Sequence, residues 1–128
     1  MEISEIYMGA GSLQRGRLYK AIQITIDGTP QMYFAEDKIC SHSVILKEIL
    51  GLHDISYVEV EVWGGIRPDI RGERYSVNGM GGAVLLRDKK VLFFGNSLDY
   101  GIGISEPYLK EIQERHPDWV FSLSRLAR

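Results

Sequence analysis

Cysteine occurs once in this 128-residue chain, at Cys40, so no intrachain disulfide can form and the disulfide framework of small secreted domains is excluded. Metal ligands are equally scarce: His42, His53 and His116 are scattered, and with one thiol there is no cluster at zinc-site spacing. No apolar run approaches the length of a membrane span, and Met1 to Ala10 carries two acids and no apolar stretch of signal-peptide length. Nor does charge of one sign accumulate. Fifteen Lys and Arg against 17 Asp and Glu leave a net charge of -2, whereas gripping a phosphate backbone needs a concentrated basic face. The expectation is a cytoplasmic protein with no metal, no cofactor, no membrane anchor and no nucleic-acid partner.

Two familiar phosphate chemistries are missing as well. A cysteine-dependent phosphatase needs an arginine six positions after its cysteine to cradle phosphate, and Leu46 stands there. Gly101-Ile102-Gly103 opens like a dinucleotide fingerprint but has no third glycine, and no lysine-containing phosphate loop occurs.

What is present is ordinary globular composition, 45% hydrophobic and 25% charged, in a length suited to one core. Ile22, Ile24 and Ile26 alternate with polar or small residues as in a half-buried strand starting near Leu18, and Asp27 to Pro30 carries turn chemistry. Met32-Tyr33-Phe34 can pair back as a hairpin. A helix follows, capped by Ser41 or Ser43, with Val44, Ile45, Ile49 and Leu50 as its apolar face and Gly51 as its stop. Tyr57 to Trp63 alternates again and predicts a strand with one solvated side. Gly64 to Gly82, with three arginines and six glycines, reads as an excursion or hairpin of the kind that carries binding groups. Ala83–Leu86 and Val91–Phe94 predict a central hairpin, Ser105-Glu106-Pro107 opens a second helix that ends at His116-Pro117-Asp118, and Trp119 to Leu123 has strand character. The expected fold is α+β: a single domain over residues 1–128 with a mixed, mostly antiparallel sheet of about six strands and two helices.

Three groups of residues could carry chemistry. His42 opens a helix, where exposed N–H groups and the positive dipole end attract anions and disfavour imidazolium. A neutral His42 can act as a base toward water while an anion sits on the amides of Ser43 and Val44; the alternative is a polar helix-start residue. Gly95 to Gly101 is a small-residue loop that can turn N–H groups toward a ligand or simply make a turn. In it, the charge of Asp99 would repel phosphate. Lys20, Arg67, Arg71 and Arg74 are candidates to neutralise a phosphoryl group, set against the default of solvated surface charge.

In order and local wording these segments resemble the phosphohistidine phosphatase (Janus/Ocnus) family. Leu18-Tyr19-Lys20 before an isoleucine-rich strand looks like the family's first strand with its substrate-binding lysine, and His42 before a helix looks like its catalytic histidine. Asp88-Lys89-Lys90, an apolar strand, Gly95 to Gly101, and a helix ending in His116-Pro117-Asp118 look like its C-terminal half. The likeness covers most of Leu18 to Ser122. It implies metal-independent hydrolysis of the N–P bond of phosphohistidine, with His42 as base and Lys20, Ser43, Ser97 and Asp99 holding the phosphoryl group, the last two through backbone N–H groups.

The departures are specific. Ser41 replaces an aromatic residue before the histidine, and Asp99 replaces a small neutral residue of the phosphate loop. The family's arginine, which follows a glycine run, corresponds to Arg67 if that run is Gly64-Gly65, and is lost to Ala83 or Val84 if it is Gly81-Gly82. The resemblance implies a phosphatase acting on a phosphorylated protein or small phosphoramidate, expected to be monomeric or weakly dimeric. The alternatives are a non-catalytic ligand- or peptide-binding domain on the same fold, its site altered by Asp99, and an interaction module using Trp63, Tyr75, Trp119 and Phe121.

Overall fold

A computed structural model of the chain describes residues 4–5, 13–36, 41–62 and 65–124. In chain order the first half contributes β1 (Ser4–Glu5), β2 (Leu18–Ile26), β3 (Thr29–Glu36), α1 (His42–Leu52), β4 (Glu59–Val62) and β5 (Gly65–Pro68). The second half contributes β6 (Tyr75–Arg87), β7 (Lys90–Phe94), α2 (Glu106–Arg115) and β8 (Val120–Leu123). Six strands form one mixed sheet in the order β1-β3-β2-β6-β7-β8, antiparallel except for β7 and β8, and β4 pairs with β5 apart from it. The parallel pair needs a crossover, and α2 supplies it.

The β2–β3 hairpin closes through Asp27 (φ 48) and Gly28 (φ 80), two residues with positive φ whose twist matches the flanking strands. Pleating then sends alternate residues of β2 to opposite sides. Ile22, Ile24 and Ile26 pack with Ile45, Leu46, Ile49 and Leu50 of α1. Tyr19 and Ala21 pack with Phe34, Phe93, Tyr108 and Ile112 on the α2 side. The sheet thus carries one helix on each face. The half-buried strand expected from the isoleucine alternation is in fact covered on both faces, because residues too small or too polar to announce themselves lie under α2. Gln23 is fully buried there; its amide donates to Ser105 O (3.1 Å) and accepts from Ser105 N (2.7 Å), which also fixes the start of α2.

Both helices start where expected. Ser105 Oγ accepts from Tyr108 N (3.3 Å) in the first turn of α2, with Pro107 beside it. α1 runs through Gly51 to Leu52, one residue past the expected stop, and the positive φ that ends it belongs to Asp54.

The middle of the chain departs from expectation only in part. The strand expected over Tyr57 to Trp63 is the short β4, paired with β5 outside the main sheet; Glu59 and Glu61 are exposed and Val60 and Val62 half-buried, as a strand with one solvated side requires, while Val58 before it is 68% exposed. The supposed excursion from Gly64 to Gly82 is an excursion only as far as Arg74. From Tyr75 the chain is β6, the longest strand, paired with β2 over Tyr75 to Val84. The glycines that disguised it are required by packing: a Cβ on Gly81 would lie 2.6 Å from Phe94 O, and one on Gly82 would lie 2.5 Å from the Phe94 ring. Cys40, Trp63, Gly64 and the 125–128 tail lie outside the described residues.

Candidate functional site

His42 is the first residue of α1, with Ser41 at the N-cap. It is buried, and its Nε2 lies 2.8 Å from Gly81 O on β6. A carbonyl only accepts, so Nε2 carries the proton of this bond, and in the neutral ring the lone pair is on Nδ1. The ring is therefore oriented by the sheet, through a carbonyl held in place by the close packing of Gly81 against Phe94.

The Ser41 side chain makes no capping bond to its own helix, and the orphan N–H of Ser43 is satisfied from across the fold. Asp99 Oδ2 accepts from Ser43 N (3.2 Å), while Ser41 Oγ and Ser43 Oγ lie 2.9 Å apart. Burial pushes the Asp99 carboxyl up, and the Ser43 N–H, the hydroxyls of Ser43 and Ser41 and the charge of Arg67 together outweigh it. The group titrates below its ordinary 3.8 and is ionised at neutral pH. An oxyanion is seated on the first turn of α1, one residue from His42, and it comes from the chain itself.

Arg67 reaches this corner because β5 packs on α1 and because Tyr100 OH donates to Pro68 O (2.7 Å), tying the β4–β5 hairpin to the residue after Asp99. Burial pushes the Tyr100 phenol up, so it remains the donor of that bond. Of the two positions open for the family-like arginine, Ala83 is fully buried among the residues under α2. Arg67 is the one whose charge bears on Asp99.

Lys20 lies on the α1 side of β2, one pleat before Ile22, opposite Ala35 on β3 and Gly82 on β6. Gly82 follows the residue whose carbonyl holds His42, so lysine and histidine share one end of one sheet face. Val44 is partly exposed on the first turn of α1.

Ser97 departs from expectation. Its N–H, expected to face a ligand, donates to Ile102 O (2.8 Å). Its carbonyl accepts from Gly101 N (2.9 Å) and its Oγ from Tyr100 N (3.2 Å), so this buried serine closes the loop on itself. Asp99 was expected to act through its backbone N–H, and the structure brings its carboxylate to the helix instead. Sequence reasoning also missed the Gly81 carbonyl and the Tyr100 tie. The spacing of glycines along β6 was the only signal for the first, and none existed for the second.

Among the described residues no three His, Cys, Asp or Glu converge as metal ligands, and no helix is long and apolar enough to cross a membrane. A cavity of about 490 Å³ lined by Asp54, Ser56, Tyr57, Val58 and Arg74 opens beyond the C-terminal end of α1, away from His42, and the candidate Arg74 on its wall is paired with Asp27 (2.9 Å). The chain matches no protein-family model and no curated protein. The likeness to phosphohistidine phosphatases accordingly rests on the segments quoted above.

Proposed function

We propose that the chain is a metal-independent phosphatase hydrolysing phosphohistidine or a related phosphoramidate, with His42 as general base. The observation that carries this reading is the oxyanion beside His42. A first-turn amide that already binds a carboxylate has the chemistry to bind a phosphoryl oxygen.

In the reaction, water attacks phosphorus and gives its proton to Nδ1 of His42, whose Nε2–H is committed to Gly81 O. The P–N bond breaks, its electron pair goes to the departing nitrogen, and that nitrogen takes the proton that His42 received from water, which resets the base. Phosphate and the free imidazole or amine result. The Ser43 N–H, with Lys20 and Arg67, balances charge on the phosphoryl oxygens. In this reading the chain works in the cytoplasm, as a monomer or weak dimer, on a phosphorylated protein or small phosphoramidate.

Phosphate release from phosphoramidate in the presence of a chelator tests the reading. His42→Ala should lower it by about 10²–10⁴-fold, the usual contribution of a general base, with the fold intact by circular dichroism. Undiminished release by the variant rules out the mechanism.

A second reading is favoured by Asp99: a non-catalytic ligand- or peptide-binding domain on the same fold, in which a carboxylate in the phosphoryl position recognises a cationic group. Thermal shifts separate the two. Stabilisation by amines supports the binding domain.

A further inference from the structure

The loop that delivers Asp99 is held at both ends. Gly95 (φ 70) and Gly101 (φ 71) turn the chain, Asn96 bridges Gly103, and the Ser97 bonds close the loop between them. Its tip, Leu98, is 82% exposed, yet the next residue points its carboxylate inward onto Ser43 N. Asp99 is thus preplaced on the amide by a loop that is closed through bonds not involving its carboxylate.

From this we infer that Asp99 is a specificity-determining residue, an intramolecular stand-in for the phosphoryl group that competes with incoming anions for the Ser43 amide. The inference rests on the proposed phosphoryl site. One N–H serves one oxyanion well, and two anions within a few ångströms repel each other, so an arriving phosphoryl group must first displace the carboxylate. Arg67 and the two serine hydroxyls favour an ionised oxyanion in this corner. The wild-type site therefore discriminates against free phosphate and accepts only a ligand whose other contacts offset that displacement.

The test is titration with inorganic phosphate at neutral pH, following the ¹H–¹⁵N signal of the Ser43 amide, in wild type, Asp99→Asn and Asp99→Ala. Asparagine keeps an oxygen for the amide and removes the charge, which covers the case in which alanine fails to fold. Phosphate should bind Asp99→Ala at least tenfold more tightly than wild type, with Asp99→Asn between them and the Ser43 signal moving in each. Equal affinity in all three proteins, or no binding by either folded variant, overturns the inference. The phosphatase reading fails separately. Tighter phosphate binding without turnover retains the stand-in and removes the enzyme, whereas His42-dependent turnover with unchanged phosphate affinity does the reverse.

Discussion

Replacing Asp99 by alanine takes the carboxylate off the first turn of α1 and leaves the Ser43 N–H, in a buried residue, without its partner. A hydrogen bond to a charged group contributes about 1.5–3 kcal/mol and a helix N-terminal cap about 0.5–2 kcal/mol. Asp99 keeps part of its surface in water, which favours the lower part of these ranges. A loss of about 1–2 kcal/mol is therefore expected at pH 7, or roughly 3–10 °C in Tm for a domain of this size. The folded-state pKa lies below the ordinary 3.8, so the ionised carboxylate stabilises the fold fully above that value and the stabilisation disappears as pH falls through the lowered folded value. Urea unfolding of wild type and Asp99→Ala from pH 7 down to pH 2 should show two stability curves that are parallel at neutral pH and converge in acid. An alanine variant as stable as wild type at pH 7, or a gap that does not narrow in acid, would refute the assignment of Asp99 as the anion on α1. If phosphate affinity rises as stability falls, the carboxylate trades one for the other.

Gly81→Ala places a Cβ 2.6 Å from Phe94 O, a backbone atom that cannot retreat without disturbing the β6–β7 register. It should cost about 1–3 kcal/mol in urea unfolding and shift the His42 ring ¹⁵N signals, because the carbonyl holding Nε2 moves; an unchanged ring spectrum would contradict the positioning role of Gly81. Gln23→Leu removes both bonds to the Ser105 backbone beneath α2 and should destabilise by about 1–3 kcal/mol. A change within about 0.5 kcal/mol, typical of surface positions, would show that water replaces the amide.

Where residue pattern and burial coincide, the fold was legible. The isoleucine alternation of β2, the Ser105-Glu106-Pro107 start of α2 and the charged tip between β6 and β7 all report local chemistry that the tertiary structure keeps. β6 was hidden because its glycines answer to Phe94 and Ile104, which are distant in sequence. Read alone, a run of glycines signals a loop; packed under a neighbouring chain segment, it is the middle of a sheet. Similarly, the alternation of Glu59, Val60, Glu61 and Val62 was legible as a strand with one solvated side, but its pairing with β5 outside the main sheet was not. At the site, the grouping of His42 with Lys20 entered only through the family resemblance, whereas His42 at a helix start was within reach of sequence, since it follows from an element boundary. The carboxylate of Asp99 on Ser43 was not, because a contact between residues 56 positions apart depends on how the loop after β7 returns over the sheet. The same residue could be read as repelling phosphate, and the structure adds the reason: it sits where an anion would bind.

³¹P NMR of a phosphohistidine peptide, incubated with a chelator and either wild type or His42→Ala, bears on the role of His42 without intermediaries. The phosphoramidate resonance should give way to inorganic phosphate with wild type and persist, with loss slowed by about 10²–10⁴-fold, with the variant. Conversion by His42→Ala at the wild-type rate, or none by a folded wild type, would contradict His42 as the base of a phosphoramidate hydrolase.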